Sequence, residues 1–129
     1  MAAHEVFFLI GPDDEVLYAD ESGSPSFLPD SRTRWEAIWR ERERLVEIAH
    51  SHPHGPLGFS QEDESTMTAL ASALGRRLIF SVVAPNGMVR REQAPAPAKG
   101  AESTGNTGTD VVVENEPSWA ASLRSRSEM

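Results

Sequence analysis

The chain of 129 residues contains no cysteine. It therefore has no disulfide framework, thiolate zinc site or thiol nucleophile, and any metal must be held by histidine and carboxylate. Lysine is nearly absent: Lys99 stands alone beside eleven arginines, and acidic residues outnumber basic ones 20 to 12, for a net charge of −8. That balance excludes a nucleic-acid partner held through clustered phosphate contacts. No apolar run approaches membrane-spanning length, and the N-terminus carries no basic segment followed by an apolar core, so a cytoplasmic protein with no membrane partner is expected. Apolar residues at 39% and charged residues at 25% suffice for one modest core.

What the chain does hold reads as alternating strands and helices. Residues 5–10 (Glu-Val-Phe-Phe-Leu-Ile) form a nearly continuous apolar run closed by the turn residues Gly11, Pro12, Asp13 and Asp14, with residues 15–19 expected as the hairpin partner. Residues 22–29 read as a loop. Asp30 or Ser31 is the expected N-cap of a helix over 32–44, with Trp35, Ile38 and Trp39 at i, i+3, i+4 as its apolar stripe and the charges of 40–44 on a solvated face. Residues 45–49 lead as a strand into His50. Ser60 caps a second helix, with Asp63 at its third position in a variant of the capping box; Met67, Leu70, Ala71 and Leu74 face inward and Gly75 ends it. Residues 78–83, apolar on both faces, predict a central strand, and Pro85-Asn86-Gly87 turns it into a partner over 88–90.

Composition changes after Glu92. The expected organisation is a domain over 1–93, a flexible Ala/Pro- and Gly/Ser/Thr-rich linker over 94–110, and a C-terminal tail over 111–129 that docks back or engages a partner.

The chemistry gathers at His50-Ser51-His52-Pro53, followed by Ser60 and Asp63. Side chains alternate along a strand, so His50 and His52 share one side while Ser51 points away. Two imidazoles and a carboxylate are zinc ligands, and three protein ligands leave a fourth position for water, the mark of a catalytic rather than a structural site. The plain alternative is a satisfied polar pair of histidines with Asp63 as a helix cap, a role compatible with ligation. His54 as a fourth ligand would close the water position, and is expected on the solvent or substrate side.

This pattern resembles the JAMM (MPN+) metalloprotease family: a Glu on an early strand, then His-Ser/Thr-His-Pro, then Ser-x-x-Asp. Six residues separate Pro53 from Ser60, as the family spacing requires, and Glu5-Val6-Phe7-Phe8-Leu9-Ile10-Gly11 resembles the family's Glu segment with Phe8 where an internal Gly usually stands. The resemblance covers about residues 4–91. It implies an α/β, cytidine deaminase-like fold, a mixed curved sheet flanked by helices but lacking the family's usual N-terminal helix. The apolar face over residues 6–9 that this helix would cover must then be shielded by the segment around Trp119 or by a partner.

The resemblance also implies roles. One Zn²⁺ per chain is held by His50, His52 and Asp63; Glu5 is the general base for a water; Ser60 steadies the oxyanion. Glu15 and Glu47 are nearby alternatives to Glu5. The reaction implied is hydrolysis of the amide bond after the C-terminal glycine of a ubiquitin-like protein, with E1-like or E2-like proteins of one pathway as further partners. The alternatives are a non-catalytic MPN-type scaffold, or a zinc peptidase that processes sulfur-carrier adducts.

Overall fold

A computed structural model describes residues 5–20, 32–95 and 109–127. The apolar run near the N-terminus forms β1 (Phe7–Ile10), and a short 3₁₀ turn (Pro12–Asp14) returns the chain as β2 (Val16–Asp20). Then follow α1 (Arg32–Arg40), β3 (Glu47–Ser51), α2 (Gln61–Leu74), β4 (Leu78–Ala84), β5 (Gly87–Gln93), β6 (Val111–Val112) and α3 (Ser118–Ser127). The strands make one six-stranded mixed sheet in the order β2-β1-β3-β4-β5-β6. Only β3 and β4 run parallel. A parallel pair needs a crossover, and α2 provides it. The sheet with its three helices is the α/β architecture expected from the sequence.

Strand alternation sorts the core into two layers. Phe7, Leu9, Ile48 and Phe80 face α1 and α2, where Ala37, Ile38, Met67 and Leu70 meet them. Val6, Phe8, Ile10, Ala49, Val83 and Met88 face the other way, against Trp119, Ala120 and Leu123 of α3. Burial on both faces explains why β1 has no polar alternation. The indole of Trp119 lies 6.5 Å from the Phe8 ring and its Nε1–H donates to Asp14 Oδ1 at 3.0 Å. The face that residues 6 to 10 present away from α1 and α2 is thus covered by α3. Leu123→Ala should lower unfolding free energy by about 2–3 kcal/mol in urea denaturation, the low end for large-to-small core changes because α3 lies on one layer only.

Two expectations for α1 are corrected. The helix stops at Arg40 rather than 44, and residues 41–44 form a hydrogen-bonded turn, with Leu45 N–H donating to the Glu41 carbonyl at 2.8 Å. That turn delivers fully buried Leu45 to the core. The buried face is also not the tryptophan stripe: Trp35 and Trp39 are 40% and 55% exposed, while Arg34, Ala37 and Ile38 are buried. Arg34 can face inward because its Nε donates to Asp20 Oδ2 at 2.6 Å and its guanidinium lies over the Phe7 ring. The N-cap expected at Asp30 or Ser31, the loop over 22–29 and linker residues 96–108 lie outside the described residues.

Candidate metal centre

β3 carries His50 inward on the α2 side, beneath Phe7 of β1 and beside Val82 of β4. His52 follows just past the strand, where its N–H still donates to the Val83 carbonyl at 2.9 Å. Ser51 points to the opposite side, and its Oγ accepts the Val6 N–H at 2.8 Å. The H-x-H alternation expected from the sequence is what the backbone delivers.

Asp63 arrives from the first turn of α2. The capping box is complete: Ser60 Oγ accepts the Asp63 N–H at 3.0 Å and Asp63 Oδ2 accepts the Ser60 N–H at 2.8 Å. The motif fixes the carboxylate's rotamer, and it aims Oδ2 at the histidines. Gly75 closes the helix in the left-handed region at φ 67°, a conformation that suits glycine.

Three ligand atoms converge. His50 Nε2 and His52 Nε2 stand 3.2 Å apart, and each is 3.4 Å from Asp63 Oδ2. A tetrahedral ion bound at about 2.0–2.1 Å to each donor requires donor separations of about 3.3 Å, so this triangle fits one. The tautomer fits as well. His52 Nδ1 lies 3.0 Å from the Pro56 carbonyl, which can only accept, so Nδ1 carries the proton and Nε2 presents its lone pair to the centre. Lone pairs facing one another at this range repel unless a cation or proton sits among them. Two imidazole nitrogens favour a transition-series ion over the hard, oxygen-seeking Ca²⁺ or Mg²⁺. Among the described residues, this is the group of three His or acidic side chains whose ligand atoms lie within 4.8 Å of one another.

Electrostatics follow from this packing. Burial opposes charge on His52, but Asp63, the Pro56 carbonyl and the charge of Glu5 outweigh it and hold its pKa above the ordinary histidine value. At His50 burial dominates and holds the pKa below that value, against the pull of Asp63. Burial works to raise Asp63, yet His50, His52 and the Ser60 N–H overcome it and keep the carboxyl well below the usual carboxylate range. A ligating imidazole must be neutral. The metal must therefore displace a proton from His52, so apparent affinity rises as pH climbs through its raised pKa and falls below it, whereas His50 is already neutral. Calorimetry in buffers of different ionisation enthalpy should show proton release from His52 on metal binding that is greatest below its raised pKa and declines as pH climbs through it.

The remaining sequence candidates separate cleanly. Phe7 pairs with His50, and Ser51 N–H donates to the Val6 carbonyl at 3.0 Å, so the same register sets Glu5 opposite His52. Directly opposed residues share a face, and the charge of half-buried Glu5 is felt at His52. Glu15 is instead engaged by Arg44 at 2.7 Å on the surface. Glu47 is buried on the other side of β3 in a two-pronged pair with Arg90, at 3.0 and 3.2 Å. Ser60 is exposed beside the centre, and accepting the Asp63 N–H does not engage its own O–H proton. His54 is exposed and stays outside the ligand group. It lines a cleft of about 400 Å³ with Gly55, Pro56, Leu57, Pro85 and Asn86.

Sequence reasoning missed two supports. The Pro56 carbonyl that fixes the His52 tautomer is backbone, with no residue-type signal. Phe59, whose ring lies 6.4 Å from that of His50, belongs to no motif.

The sequence model of the prokaryotic homologs of the JAB domain matches residues 8–95. The chain belongs to this prokaryotic JAB family. The match takes in His50, His52, Ser60 and Asp63, while Glu5 lies three residues ahead of it. No curated protein matches the chain. Membership of the JAB family and the His-His-Asp cluster are together compatible with a metallopeptidase. Among the described residues of this JAB protein, no helix is long and apolar enough to cross a membrane.

Proposed function

We propose that the chain is a zinc-dependent peptidase of the JAMM type, acting in the cytoplasm on the amide bond that follows the C-terminal glycine of a ubiquitin-like protein. One observation carries this reading: two Nε2 atoms and a carboxylate oxygen form a triangle with sides of 3.2, 3.4 and 3.4 Å, with Glu5 set across from one of its corners. His50, His52 and Asp63 would hold zinc and leave a coordination position open. Bound there, zinc supplies Lewis-acid polarisation of a carbonyl and lowers the pKa of water toward neutrality.

The chain's own residues do the rest. Glu5 accepts a proton from the attacking water and later returns it to the leaving amine, so water is added across the C–N bond with no net proton change. The Ser60 O–H donates to the carbonyl oxygen as negative charge develops, an interaction of a kind worth about 3–4 kcal/mol in other hydrolases. The Pro56 carbonyl keeps His52 in the ligating tautomer. The cleft from His54 to Asn86 begins two residues beyond His52 and is the site offered to the substrate's extended tail. E1-like or E2-like proteins of the same pathway are the further partners this reading implies.

The test has two parts. Metal analysis of the purified chain should find one zinc per molecule. The zinc-loaded chain should then cleave a peptide fused after the C-terminal glycine of a ubiquitin-like protein, and chelator should stop it. A metal-free protein that binds a partner without cleaving anything overturns the reading in favour of a scaffold. Cleavage restricted to sulfur-carrier adducts replaces the substrate and keeps the chemistry.

A further inference from the structure

Arg91 is a strand residue facing the wrong way for a surface charge. Its pairing with Phe80 puts it on the α2 side of the sheet, where its side chain is only 10% exposed. A guanidinium in such a place persists only with partners. Nη1 donates to Glu64 Oε1 at 2.9 Å, in the first turn of α2 and next to Asp63. Nε donates to Asp110 Oδ1, immediately before β6. The guanidinium carbon lies 5.0 Å from the centre of the Phe59 ring, and that ring in turn packs on His50. One side chain thus joins the C-terminal segment to the helix turn that carries one ligand and to the aromatic wall of another.

The same segment reaches the site by a second route. Arg124 of α3 donates from Nε to the Ala84 carbonyl at 2.9 Å and from Nη2 to the Gly87 carbonyl at 3.3 Å, and is itself paired with Glu116. It thereby grips the β4–β5 turn, whose Pro85 and Asn86 line the cleft beside His54.

We infer that residues 109–127 form a positioning arm for the metal centre, with Arg91–Asp110 as its latch and Arg91 as the positioning residue that holds Phe59 against His50 and α2 in register with it. The inference rests on the zinc reading above. Groups that orient ligands from outside typically contribute 10- to 100-fold to metal affinity, and the apolar wall of a site sets its solvent access. Lys could not replace Arg91, because one ammonium cannot bridge two carboxylates and stack on a ring together.

The experiment uses the full chain and two variants, Arg91→Met and Asp110→Asn. Asp110 is partly exposed, so the second variant keeps the test open if the first does not fold. Zinc affinity is measured by competition with a chromophoric chelator well below the melting temperature, and the visible absorption of the cobalt-substituted protein reports ligand geometry. Arg91→Met should weaken zinc about tenfold, and Asp110→Asn about threefold, since it keeps an acceptor but loses the charge. The cobalt bands should shift in both. A purely structural role would lower the melting temperature and move neither readout. Wild-type zinc affinity with an unchanged cobalt spectrum in the variants that fold overturns the latch while the zinc reading stands. A wild-type chain that takes up no zinc overturns both.

Discussion

Asp63→Asn should strip the chain of zinc without unfolding α2. The carboxylate is placed for two jobs through one atom: Oδ2 completes the capping box by accepting the Ser60 N–H at 2.8 Å, and it stands 3.4 Å from both histidine nitrogens. An asparagine amide oxygen can still accept from Ser60, so the cap survives in the variant. The charge does not, and a neutral amide is a poor zinc ligand. Structural zinc sites release about 10–16 kcal/mol over four ligands, so one ligand corresponds to about 3–4 kcal/mol, or 10²- to 10³-fold in affinity. Asp63→Ala should lose the zinc equally and also the side-chain half of the capping box, a further loss of up to about 1 kcal/mol in fold stability, while Ser60 Oγ still accepts the N–H of residue 63. Zinc competition and urea denaturation of the metal-free proteins separate the two roles. If Asp63→Asn keeps wild-type zinc affinity, Asp63 is a cap and nothing more, and the centre must be rebuilt around other donors.

This double placement explains why the candidate ligand group was legible in the sequence. His-x-His on a strand and Ser-x-x-Asp at a helix start are local patterns: strand alternation puts both imidazoles on one face, and the capping box fixes the carboxylate. Neither depends on distant parts of the chain. β1 and β4 were legible for a related reason, since a strand buried on both faces reads as a nearly continuous apolar run, broken in β4 only by Ser81.

Long-range partners were not legible. Helical spacing gave α1 an aromatic stripe, yet the core took Arg34 and left Trp35 and Trp39 outside. Asp20 makes the difference by pairing with Arg34, and nothing within α1 announces it. Arg91 is the same case: it lies just past the strand expected over 88–90, and its role emerges once Glu64, Asp110 and Phe59 are brought around it. Trp119 is the exception: the apolar run over residues 6–9 demands a cover, the segment around Trp119 or a partner is the expected one, and Trp119 packs on Phe8. Local rules find caps, faces and ligand pairs. Buried arginines are decided by which distant carboxylate or ring happens to lie opposite.

Glu5→Gln should abolish turnover and leave zinc in place. The substitution keeps the side chain's size and hydrogen-bonding reach and removes only its capacity to take a proton. General-base contributions run to about 10²–10⁴ in rate, so kcat should fall by that factor while KM stays near its wild-type value, as expected for an interaction made only in the transition state. Zinc should stay bound, because Glu5 is not among the converging ligand atoms. Neither of the other sequence candidates is placed to substitute: Glu15 is held by Arg44, and Glu47 faces the other side of β3 in its pair with Arg90. Glu5→Asp tests reach as well as basicity, since a carboxylate one methylene short should recover only part of the rate. Near wild-type turnover in Glu5→Gln would remove Glu5 from the mechanism and return the proton to an unassigned group. Zinc retained with turnover lost is an outcome that a non-catalytic scaffold cannot produce, because a scaffold has no turnover to lose.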